Sequence, residues 1–232
     1  MYASSPLAVP GATLFEDFFG LTADAETHRK AEFLSEFRTE KASVVYQTTI
    51  AGPKVDFQVA AEFSPEGVQS GFPVLPEAGD FESRFSESAR ALVEGERMEV
   101  NRVAVGAHFV QLVTDKNEGY QRLSQLIPGI RLDASCSDFQ YRINRPKAVP
   151  YGDQEVHFNR LSTWGCISLR LDISVPGGMG SQAQIGSVVS VNTDVNTIVE
   201  QSFSRFPKVV RMGIIERLFL LSKEIPQNGD LS

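Results

Sequence analysis

The sequence predicts an α+β domain: an antiparallel or mixed sheet with helices packed on it, closed by a long amphipathic helix at the C-terminus. Three observations carry this. β-branched runs follow one another across short turn signals rather than alternating regularly with helices. Segments with a 3.6-residue apolar period are few and well separated. The C-terminal run repeats apolar residues at Val210, Ile214, Leu218, Leu221 and Ile225 behind Pro207, which suits a first helical turn.

Taken in order, residues 1–22 read as a flexible lead-in. Residues 23–40 are rich in helix formers and set Phe33, Leu34 and Phe37 on one side, which predicts a short amphipathic helix. "SVVYQTTI" and "VDFQVAAEF" read as a hairpin with the four-residue loop Ala51 to Lys54. Residues 64–80 hold Pro65, Gly67, Gly71, Pro73, Pro76 and Gly79, so a long irregular loop is expected, and such loops are often functional. Phe81, Phe85, Ala89 and Leu92 then recur at helical spacing.

"MEVNRVAVGAHFVQLV" is apolar on both parities between Val103 and Phe109, as a strand inside a sheet would be. "NEGYQRLSQLIPG" predicts a short helix stopped by Pro128-Gly129. "SDFQYRIN" alternates as a half-buried strand does, and "EVHFNRLSTWGCISLRLDIS" gives one long strand or two joined by a bulge at Trp164-Gly165. The Gly-rich turn "VPGGMGSQ" leads into the strand "IGSVVSVNT". A single domain over 1–232 is expected, since nothing reads as a linker.

Composition bounds the function. A net charge of −7 disfavours nucleic acid as a partner. Cys136 and Cys166 stand in no metal or disulfide spacing and read as reduced thiols. The N-terminus lacks a signal-peptide pattern and no run of 18 apolar residues occurs, so a soluble cytoplasmic protein without a membrane partner is expected.

The stretch from Gln140 to Leu161 twice contains Asn-Arg, at 144–145 and 159–160, and the dipeptide also occurs at 101–102. In a strand an Asn and the following Arg point to opposite faces, so the dipeptide is not one binding unit. A hairpin of residues 138–144 with 156–163 around the loop 147–154 would pair Ile143 with Phe158 and Tyr141 with Arg160 on one face. On the other, Asn144 would meet His157 and Arg142 would meet Asn159. Arg142, Asn144, His157 and Asn159 are therefore the candidate ligand-binding residues: a forked cation beside amides suits a small anionic or amide-bearing ligand. The competing reading is a solvated sheet face, and a one-residue slip would dissolve the cluster.

Other chemistry is thinner. His108, within an apolar run, reads as a core histidine. No signature unites Cys166 with His157 or His108 and Asp172 as a nucleophilic site. "VPGGMGSQ" lacks the Lys-Ser/Thr of a phosphate loop, the three histidines have no metal spacing, and no cofactor is implied. Trp164 reads as a core anchor.

The segments "VNRVAVGA", "GYQRLSQLIPGI", "SDFQYRINRP" and "FNRLSTW" are similar to segments of uncharacterised, sporadically distributed bacterial proteins, over roughly residues 97 to 225. The resemblance implies a bacterial cytoplasmic protein, of the kind found as one component of a multi-gene system, and carries no residue roles. With no catalytic signature, the leading expectation is a non-catalytic interaction or regulatory component whose partner is another protein, a second copy included. The alternatives are a small-molecule enzyme or sensor using the Arg/Asn/His face, and a nucleic-acid-associated protein.

Overall fold

The computed structural model describes residues 1–3, 9–62, 75, 78–95, 99–133, 135–136, 139–173 and 181–229. The protein is α+β, as its sequence predicts, with two antiparallel sheets, helices and a C-terminal helix. The chain divides into two compact units, residues 1–104, 148–158 and 196–219, and residues 105–147, 159–195 and 220–232.

The first unit holds a six-stranded sheet made of β1 (Tyr2–Ala3), β2 (Ala25–Arg29), β3 (Leu34–Lys41), β4 (Val44–Ala51), β5 (Lys54–Ala61) and β6 (Val100–Arg102). Its order is β2-β3-β4-β5-β1-β6. The helix expected over 23–40 is instead β2 and β3. Phe37 and Thr39 are buried while Glu36, Arg38 and Glu40 alternate with them, so cross-strand pairing overrides the helix propensity of the charged residues. The hairpin of β4 and β5 is present, but Ala51 pairs with Lys54, so its loop is the two residues Gly52-Pro53. Gly52 holds φ +57, a conformation that favours glycine. Residues 11–19 are not a loose lead-in: they form α1 (Gly11–Phe19), which buries Leu14, Phe15 and Phe18. Phe18 stacks on Phe57 at 3.9 Å between centroids and meets Phe85 edge-on at 4.8 Å. Phe85 belongs to α2 (Ala78–Glu94), the helix read around Phe81 to Leu92. Of the loop read over 64–80, Leu75 and residues 78–80 are described, the last three opening α2; the rest lies outside the described residues.

The second sheet is built of β7 (Ala104–Val113), β8 (Gln140–Asn144), β9 (Lys147–Tyr151), β10 (Gln154–Ile173) and β11 (Ser181–Thr197). Its order is β7-β11-β10-β8, with β9 also on β10. β10 is one continuous strand through Trp164-Gly165, whose register against β8 runs unbroken there. The segment expected inside the sheet, β7, is an edge strand, and His108 on it is exposed rather than in the core. Its exposed parity is Ala104, Gly106 and His108; alanine and glycine look apolar in a sequence but carry too little surface to demand burial.

In the second unit α3 (Lys116–Leu126) packs on this sheet through Gly119, where a Cβ would lie 2.5 Å from Cys166 Sγ, 3.4 Å from Val189 and 3.5 Å from Val113. Asp115 caps the helix by accepting from the Glu118 N–H at 3.0 Å, and Glu118 in turn accepts from Thr114 N–H at 2.9 Å. The C-terminal helix α4 (Lys208–Asn228) buries Ile214 and Leu218 in the first unit and Leu221 and Ile225 in the second. Pro207 stands just before it and accepts from Arg211 N–H at 3.0 Å. The helix runs on past Ile225 through Pro226 and ends at Gly229, φ +79, whose N–H reaches the Ile225 carbonyl at 2.9 Å. Among the described residues no helix is long and apolar enough to cross a membrane.

Candidate functional site

The antiparallel pairing expected of 138–144 with 156–163 is present between β8 and β10 among the described residues, in a different register. Asn144 lies opposite Leu161, Ile143 opposite Ser162, Arg142 opposite Thr163 and Tyr141 opposite Trp164. This is four residues from the expected pairing because residues 147–151, read as loop, are the strand β9, and the turn is only Gly152-Asp153. A shift by an even number keeps every side chain on its expected face. Val156, Phe158 and Trp164 are buried on the inner face, with Trp164 Nε1 donating to Ser162 Oγ at 2.9 Å. The Asn-Arg pairs divide as alternation requires: Arg160 is buried on the inner side, and Asn144 and Asn159 stand on the outer one.

The four candidate residues fare differently. Asn144 Nδ2 donates to Asn159 Oδ1 at 3.1 Å, and Asn144 Oδ1 accepts from the Arg160 backbone N–H at 2.9 Å. This amide replaces a ladder bond where Pro146 leads the chain away, so the Asn pair is occupied in holding β8 on β10. His157 falls in the first unit, where its Nε2 lies 3.0 Å from Glu155 Oε1. There Gln201 ties down the strand by accepting from His157 N–H and donating to the Glu155 carbonyl, both at 2.8 Å. Arg142 is exposed on the outer face. Of the four, Asn144 and Asn159 bond each other, His157 stands beside Glu155, and Arg142 is the exposed guanidinium.

Register shows what accompanies Arg142. Gly165 and Ser190 share the outer face, with a Cβ on Gly165 falling 3.8 Å from Ser190 Oγ, and Thr193 Oγ1 donates to the Ala107 carbonyl at 3.4 Å. Carried along the strands, these anchors place His108, Asn192, Thr163 and Arg142 in one row across β7, β11, β10 and β8. At roughly 4.8 Å between strands, the row is about 14 Å long. Two rows away on the same face lie Leu112, Val188 and Ile167. Val188 is 3% exposed, but Leu112 and Ile167 on either side are 54% and 60% exposed. Sequence reasoning missed these companions because the residues come from strands distant in sequence. The detectable signal was parity: Leu112 and His108 alternate in "HFVQL", as Val188, Ser190 and Asn192 do in "VVSVN".

Cys166 lies on the inner face, where burial pushes its thiol above the usual range, away from a nucleophilic thiolate. Among the described residues no group of three His, Cys, Asp or Glu is placed to hold a metal ion. Two concavities in the first unit are lined by other residues and include none of the four candidates. No protein-family model, curated protein or solved structure matches this sequence, so the resemblance to bacterial proteins rests on its quoted segments alone.

Proposed function

We propose that this protein is a non-catalytic interaction module of the bacterial cytoplasm, a component of a multi-gene system that meets a protein partner through the outer face of its second sheet. The observation that carries the reading is the exposure of Leu112 and Ile167, two strand rows from His108, Asn192, Thr163 and Arg142 on the same face. Exposed apolar side chains on the same face as hydrogen-bonding ones are how protein interfaces are built, with apolar and polar contacts side by side. The partner's surface would offer an apolar side chain to Leu112 and Ile167 and a carboxylate to Arg142.

The test is photo-crosslinking in the native host from a photoreactive residue at Thr163, with the same probe at Thr49 on the first sheet as control. A discrete protein adduct specific to the Thr163 probe, and lost in Leu112→Glu/Ile167→Glu, is the expected result. Identical adducts from both probes, or adducts indifferent to the double substitution, would overturn it. A second reading, a sensor of a small anion, leans on Arg142 alone, whose guanidinium has no hydrogen-bond or ion-pair partner among the described residues. It requires Arg142→Ala to abolish anion binding measured by calorimetry.

A further inference from the structure

The first unit carries a shallow surface concavity that the sheet face does not involve, a groove between α2 and α4. It is lined on α2 by Glu87, Arg90, Ala91 and Glu94 and on α4 by Met212. The α2 residues recur at i, i+3, i+4 and i+7, a single helical stripe, and Val209, Met212 and Glu216 form the matching stripe of α4. Arg90 and Glu216 pair across the groove at 3.1 Å. Val209, at the head of the α4 stripe, is 78% exposed. Both stripes span eight residues, about 10 Å, or two helical turns.

The rim and the floor differ in chemistry. Ala91 and Met212 make an apolar floor, and a methionine adapts its shape to whatever side chain meets it. Of the charged groups on the two stripes, Glu87, Glu94 and Glu216 are acidic and Arg90 alone is basic, and Arg90 is engaged with Glu216. Glu87 and Glu94 therefore present negative charge at the two ends of the α2 stripe, along one side of the apolar floor, in a chain whose net charge is already −7.

From this charge complementarity and shape we propose that the α2–α4 groove docks an amphipathic helical segment of a partner protein, one whose apolar stripe is flanked by Lys or Arg. The apolar stripe lies over Ala91, Met212 and Val209, and the basic residues meet Glu87 and Glu94, which is the helix-in-groove mode of recognition. The acidic rim supplies orientation and association rate more than affinity, so docking weakens as salt is raised.

The probe is a fluorescein-labelled helical peptide of leucine and lysine, with a leucine and glutamate peptide of the same pattern as control, titrated by anisotropy against the full chain. Saturable binding of the lysine peptide alone is expected, weakened at least tenfold by Glu87→Lys/Glu94→Lys and separately by Met212→Asp. A matched pair, Glu26→Lys/Glu32→Lys, makes the same change in net charge away from the groove and should leave binding within twofold. Equal weakening by both charge reversals would show attraction to overall charge and overturn the proposal. So would absence of saturable binding, or binding indifferent to Met212→Asp in a variant whose far-UV spectrum and melting match the parent. None of these outcomes bears on the crosslinking from Thr163, so this proposal and the sheet-face reading fail separately.

Discussion

The outer faces of the two sheets are built from similar residue types and end in different states. On the first sheet, β3, β4 and β5 turn Glu36, Arg38, Glu40, Gln47, Thr49, Asp56 and Gln58 away from the helices, and opposite charges there meet as Arg38 with Glu40 and Lys54 with Asp56. Such a face satisfies itself and needs only water. On the second sheet the outer face has one amide pair tied into the ladder, an unpaired Arg142 among the described residues, and two apolar side chains more than half exposed. Polarity alone does not separate a solvated face from a contact face; what separates them is whether the polar groups already have partners and whether apolar groups stand exposed among them.

The inner faces offer the strongest test of this contrast, since each sheet should depend on them for stability. Trp164→Ala should cost about 3–5 kcal/mol, measured by urea denaturation; a cost near that of a surface change would mean the second sheet is not anchored where its side chains are buried. Gly119→Ala should cost about 1–3 kcal/mol by overpacking against Cys166 Sγ. The same substitution in a Cys166→Ala background should recover most of that loss, and a double-mutant cycle showing simple additivity would refute the contact.

The first sheet offers a gain instead. Ala42 and Ser43, in the turn between β3 and β4, hold φ +53 and +60 without being glycine. Ala42→Asn/Ser43→Gly supplies residues suited to that turn and should add about 1 kcal/mol, read as a higher denaturation midpoint at unchanged slope. On the outer faces themselves, Arg38→Ala and Leu112→Glu/Ile167→Glu should each shift stability by no more than about 0.5 kcal/mol. Only the second should change crosslinking from Thr163. If both or neither did, the distinction between the faces would collapse.

The smallest expected effect is one of pH. Bonding to Thr114 N–H, and secondarily to Arg122, holds the Glu118 carboxyl down at about 2, below its ordinary value of 4.5. A depressed carboxyl stabilises the fold above its unfolded value and loses that contribution as pH falls from about 4.5 toward 2. Hydrogen exchange at the first turn of α3 should therefore quicken over that window in the wild type and show no such step in Glu118→Gln. A step that persists in the variant would assign the effect elsewhere.

Much was decided by local sequence. The C-terminal helix follows from the period of Ile214, Leu218, Leu221 and Ile225, α3 from its Pro128-Gly129 stop, and the sides of the sheet taken by Arg142, Asn144, Phe158 and Asn159 from alternation alone. These are short-range properties: a 3.6- or 2-residue period and a capping group act within one element, whatever surrounds it. That is also why the assignment of faces around Arg142 survived a four-residue error in register.

What only the tertiary structure decided depends on which strands become neighbours. Residues 23–40 have the composition of a helix and fold as β2 and β3 because pairing with β4 buries Phe37 and Thr39, a gain that no local propensity contains. β7 looks central and lies at an edge, since the count of apolar letters does not weigh alanine and glycine by their surface. The row His108, Asn192, Thr163 and Arg142 draws one residue from each of four strands, and the groove beside Met212 draws from helices more than a hundred residues apart in the chain. Such sites are set by long-range pairing and helix packing, whose energies come from surfaces that do not face one another until the chain has folded.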